Sequence, residues 1–92
     1  MPSFAVRLAN SDLSGFSDPQ AVLRLAELVD LSQAEPRPAF EARIHRLVGP
    51  RLAPTLLTLL DRLAGSRFAP HVWERVAADS VVRKVAAALL DG

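Results

Sequence analysis

Residues 52–63 read L-A-P-T-L-L-T-L-L-D-R-L. At about 100° per residue, a helix places Leu52, Leu56, Leu59, Leu60 and Leu63 within one arc. Leu57, Ala53 and Ala64 widen that arc to roughly 160°, broader than the apolar stripe of an ordinary surface helix. Thr55, Thr58, Asp61 and Arg62 occupy the remainder. A helix so apolar needs more than one covering neighbour. The stretch is therefore expected at the centre of an all-α bundle, with Leu56, Leu59, Leu60 and Leu63 almost fully buried.

Outward from this stretch, helical signals continue in both directions. Upstream, Phe40, Ile44, Leu47 and Val48 share one face of a helix over about Ala39–Val48, which Gly49-Pro50 ends. Pro54 then falls in the first turn of the central helix, and Gly65 is its C-cap. Ser32–Pro38 (SQAEPRP) reads as a connector, because Pro36 and Pro38 push their preceding residues out of helical geometry. Before it, Ser17-Asp18-Pro19-Gln20 is a helix start. Asp18 or Ser17 caps, Pro19 sits in the first turn, and Ser17 with Gln20 fits a capping box. Val22, Leu25, Ala26, Leu28 and Val29 make the buried stripe of that helix, which runs to about Leu31. Leu23 falls off the stripe, between Glu27 and Asp30. Residues 11–18 are a loop in which Phe16 plugs the core. At the N-terminus Phe4, Val6 and Leu8 alternate with strand period. A lone strand has no edge to pair with, so a short helix over Ser3–Ala9 is preferred.

Downstream, the region opened by Pro70 has two apolar phases. Val72, Trp73, Val76 and Ala77 share one face. Val81, Val82, Val85 and Leu89 share another, rotated by roughly 150–180° if the helix ran straight. A break at Asp79-Ser80, either of which is a good N-cap, reconciles the two. The expected fold is a compact bundle of five or six short helices.

At 92 residues, the prior is a single domain with one small core. Half the residues are apolar (50%), enough to suggest that some apolar surface meets a partner. The net charge of +1 is too small for the basic excess that phosphate contacts require, so nucleic acid is an unlikely partner. Cysteine is absent, which fits a reducing compartment. No apolar run reaches the roughly 18 residues of a membrane span, and the first residues lack the apolar core of a signal peptide. A cytoplasmic protein is expected. The strong preference for Arg over Lys reads as a bacterial type of composition.

His45 and His71 lack a second ligand at helical spacing; Glu41, four residues before His45, reads as a surface contact, and zinc needs three or four ligands. There is no G-x-S-x-G elbow, and Gly15, Gly49, Gly65 and Gly92 are isolated, so no phosphate cradle is expected. Ser66, after Gly65, reads as part of a helix-terminating turn. No catalytic residue, metal or cofactor is expected. Trp73 reads as a half-buried anchor on Val72 and Val76.

Charge is the uneven feature. Residues 1–35 carry two Arg against five carboxylates, a balance of −3; residues 36–92 carry nine cations against five carboxylates, a balance of +4. Glu27 and Asp30 flank Leu23 on one helix. Arg43 and Arg46 share a side of the next, with Arg51 just beyond. The expected function is a non-catalytic protein–protein interaction module, such as an adaptor, docking or regulatory domain. Its partner-binding residues would be Leu23, Glu27, Asp30, Arg43, Arg46 and Arg51, all exposed. The partner would be another protein or a second copy of the chain, met acidic face to basic face. Six short helices in about ninety residues resembles the format of death-like adaptor domains, a likeness of architecture alone. The alternative is a helix-turn-helix DNA-binding regulator over Val72–Leu90, with Arg83 and Lys84 reaching a groove.

Overall fold

The computed structural model describes residues 3–65 and 69–92. Five helices follow in order: α1 (Phe4–Ala9), α2 (Pro19–Ala34), α3 (Arg37–Gly65), α4 (Pro70–Ala77) and α5 (Ser80–Leu90). The described residues contain no strand. The all-α bundle expected from periodicity is the fold.

α3 is two helices joined at Gly49, whose φ of 84° and ψ of 168° lie outside helical space. This region of backbone is essentially glycine-only, which is why Gly49-Pro50 stops the first half. Pro50 fixes the entry to the second half, where its missing N–H costs nothing. The halves fold back on one another. The Arg37 guanidinium donates to both Asp61 oxygens, at 2.9 and 2.8 Å, and its Nε donates to Glu41 at 2.8 Å. The hydrogen bonds to Asp61, then those to Glu41, raise the Arg37 pKa further. This fork is bidentate and planar, the geometry in which an exposed ion pair gives directional hold.

α2 packs against each of the other four helices. Its expected stripe of Val22, Leu25, Ala26, Leu28 and Val29 is entirely buried. The Leu-rich half of α3 matches it with Ala53, Leu56, Leu57, Leu60 and Leu63. The hub of the bundle is therefore shared between the two, with α2 touching most. Leu8 from α1, Phe40 and Ile44 from the first half of α3, Trp73 and Ala77 from α4, and Val82, Val85 and Ala86 from α5 complete the core.

The helix ends follow local chemistry. Asp18 caps α2, accepting from the Ala21 N–H at 3.1 Å, with Pro19 in the first turn. The capping box expected of Ser17 and Gln20 is absent, because Ser17 turns to α4 and binds Glu74 through both hydroxyl and N–H. α2 runs to Ala34, three residues beyond expectation, since Pro36 is the actual stop. Pro38 lies inside the first turn of α3, where a proline is tolerated. Asp79 caps α5, accepting from Val81 and Val82 at 2.8 and 3.3 Å. The break inferred from apolar phase is thus present. Gly65 closes α3; Ser66 lies outside the described residues.

Candidate protein-interaction surface

The acidic face expected on α2 is not open. Asp30 is only half-exposed, and its two carboxylate oxygens accept from the Phe4 and Ala5 N–H groups at 2.9 and 3.0 Å. The Ser3 hydroxyl accepts from Val6 at 3.1 Å, and the Arg7 N–H reaches the Ser3 carbonyl at 3.0 Å. The free donors at the start of α1 are all satisfied, and the Asp30 charge sits where the helix dipole favours an anion. This carboxylate, with buried Leu8 and the Phe4 ring beside Trp73, ties a six-residue helix to the bundle. Leu23, expected on the surface, is half-buried against the core. Glu27 is exposed and lies 4.0 Å from Arg24. Asp30 lies on α2, the helix α1 packs against, and supplies the anion at the N-terminus of α1.

The basic side is divided. Arg43 is half-exposed and paired with Glu35. Arg46 is exposed and borders a cleft of about 250 Å³ with Leu47, Ala88 and Leu89 of α5. The turn at Gly49 puts Arg51 on the other half of α3, so it no longer continues the Arg43–Arg46 side. Arg83 is held within the fold: its Nε donates to the Ala77 carbonyl at 3.1 Å and its terminal nitrogen to Asp18 at 2.8 Å. Of the two cations expected to reach DNA, Lys84 alone is left unengaged among the described residues.

Each of the chain's 10 carboxylates has an internal partner. Those of Asp18, Asp30 and Asp79 meet helix N–H groups. Asp12 accepts from Ser14 and Glu74 from Ser17. Glu27, Glu35, Glu41, Asp61 and Asp91 pair with arginines. Among the described residues, Arg7, Arg46, Arg51, Arg62, Arg75 and Lys84 have no carboxylate partner; Arg7 lies over the Phe4 ring. The unengaged charge of this surface is positive.

The Leu-rich helix also exposes more than its sequence suggests. Leu60 is buried and Leu63 nearly so, but Leu59 is only half-buried and Leu52 is 47% exposed. The covered arc is the side centred on Leu60, with Ala53 and Leu57. α2 and α5 cover that side, and the Leu52–Leu59 edge is left over. Leu52, Thr55, Leu56 and Leu59 line a groove of about 130 Å³ with Asp79, Val81 and Val82 of α5. It is continuous, through Thr55 and Leu59, with a shallower depression of about 440 Å³ that reaches Thr58 and Arg62. Of the leucines expected to be almost fully buried, Leu59 is the one that is not, because the broad arc has too few neighbours to cover it.

A second cleft, of about 340 Å³, lies between α2 and α5 over Ala21, Leu25, Val82 and Ala86. It is bordered by Arg24 and Arg83, both already bound to carboxylates. Trp73 is 1% exposed. Its ring lies 5.6 Å from that of Phe4, so it anchors α1 and offers nothing to a partner. No group of three or more His, Asp or Glu able to hold a metal ion occurs among the described residues, and no described helix is long and apolar enough to cross a membrane. Comparison with known protein families, curated proteins and solved structures finds no match to this chain.

Proposed function

We propose that this domain is a non-catalytic protein–protein interaction module, of the adaptor, docking or regulatory kind, and that it works in the cytoplasm. The observation that carries the reading is Leu52. A leucine 47% exposed on a Leu-rich helix, beside half-buried Leu59 and Val81, leaves a strip of apolar surface in contact with water. Such a strip between two rigid helices is what a partner desolvates at the centre of an interface. Of the residues expected to bind from sequence, Arg51 stays in this reading at the rim of the strip. Arg46 remains an exposed cation without a carboxylate partner and can steer an encounter, whereas Glu27 is exposed but paired with Arg24.

The test is affinity capture from a native extract with the wild-type domain and with Leu52→Glu. Because Leu52 is outside the core, the variant should melt within about 0.5 kcal/mol of wild type. A protein retained by the wild type and lost with Leu52→Glu supports the reading. Retention indifferent to Leu52→Glu overturns it.

A further inference from the structure

We propose that the groove between the second half of α3 and α5 takes an acidic amphipathic helix from another protein. The inference rests on the reading of the domain as an interaction module and names the chemistry of its partner. Its first support is the pattern beside the groove. Arg51, Thr55, Thr58 and Arg62 are all exposed and follow one another at steps of four, three and four residues. They form one ridge of the helix. Next to that ridge runs the apolar strip of Leu52 and Leu59, two turns apart, with Leu56 at its floor and Val81 opposite. Lys84, exposed and three residues after Val81, edges the α5 side. The strip is apolar and its rim is basic.

The second support is the charge census. A strip rimmed by Arg51, Arg62 and Lys84 needs carboxylates, and this chain has none to spare, since all 10 are engaged. Asp79 lines the groove, but its carboxylate is turned into the N-terminus of α5. A second copy would have to break its internal pairs to supply the complement, whereas a foreign acidic segment brings carboxylates of its own. The described residues offer no sheet edge for strand addition. A trough between two helices suits an amphipathic helix laid along it. At about 1.5 Å per residue, Arg51 and Arg62 are about 16 Å apart along the axis. The occupant should carry carboxylates about three turns apart on one flank and large apolar residues at helical spacing on the face between them.

The test uses two fluorescein-labelled synthetic peptides with the same leucine stripe, one with Glu and one with Lys on its flanks, titrated with the intact domain by anisotropy. The Glu peptide should bind about tenfold or more tighter than the Lys peptide. Its affinity should fall as salt rises. Arg51→Glu with Arg62→Glu, and separately Leu52→Glu, should each weaken it about tenfold or more, while Arg7→Glu on α1 leaves it unchanged. Equal binding of the two peptides overturns the inference, as does displacement of the Glu peptide by a short DNA duplex. So does a dimer seen in sedimentation that Leu52→Glu abolishes. If neither peptide binds while Leu52→Glu still abolishes capture from extract, the acidic helix is refuted and the interaction reading stands. If capture is indifferent to Leu52→Glu, that reading has failed on its own.

Discussion

Asp30→Ala should release α1 and leave the rest of the bundle intact. Asp30 accepts from two backbone N–H groups at 2.9 and 3.0 Å. A hydrogen bond to a charged group contributes about 1.5–3 kcal/mol, and an anion at a helix N-terminus adds about 0.3–1 kcal/mol. Asp30 is half-exposed, so the lower ends apply, and the local stability of α1 should fall by about 3 kcal/mol. That is roughly a hundredfold rise in the population with α1 undocked. A helix of 6 residues cannot persist once detached, so undocking should also be unwinding. Hydrogen exchange reads this directly: amides of α1 should exchange about a hundredfold faster, while those around Leu25 and Leu60 keep their protection. Trp73, the only tryptophan, reports in parallel. Losing Phe4 from its face should shift its emission to the red and raise its quenching by acrylamide. Asp30→Asn, which keeps one acceptor and loses the charge, should fall between. If α1 amides exchange in Asp30→Ala as slowly as in the wild type, the carboxylate does not hold the helix.

Three further outcomes follow from the packing. Leu60→Ala, at a fully buried position facing α2 and α5, should cost about 2–5 kcal/mol in chemical denaturation, a large part of a small domain's stability. Gly49→Ala places a side chain at φ 84°; nothing within 4 Å obstructs it, so the expected loss of about 1–3 kcal/mol is backbone strain alone. A melting temperature unchanged by Gly49→Ala would mean that the turn can relax. Glu74 supplies a pH dependence. The Ser17 hydroxyl, and then its N–H, hold the Glu74 carboxyl below its ordinary value of 4.5. A folded-state pKa below the unfolded one stabilises above the unfolded value, and the contribution is lost as pH falls through the folded value. Acid titration of stability should therefore lose part of its slope below pH 4.5 in Glu74→Gln.

Much of the fold was legible because helix signals are local. The phase change between Val76 and Val81, the caps at Asp18 and Asp79, and the Gly49-Pro50 stop each depend on residues a turn or two apart. The binding surface was less legible because it depends on what covers what. The angle of Leu23 placed it among acids, yet tertiary packing sets it partly against the core. Asp30 looks like a free surface carboxylate until Phe4 and Ala5 arrive from a stretch 25 or more residues away. Leu52 and Leu59 have the same local pattern as Leu56 and Leu60. The number of neighbours decides between them, and periodicity does not report that number. Charge balance by segment likewise pointed to an acidic face, whereas pairing across helices consumes the carboxylates and leaves the cations.

The groove is tested most directly by mapping amide chemical shifts of the labelled domain as a captured partner is added. If the groove is the docking face, the shifted resonances cluster at Leu52, Thr55, Leu59 and Val81, and the cluster vanishes in Leu52→Glu. Shifts gathered instead around Leu23 and Glu27 of α2, with the α3–α5 groove unmoved, would place the partner elsewhere and contradict the assignment.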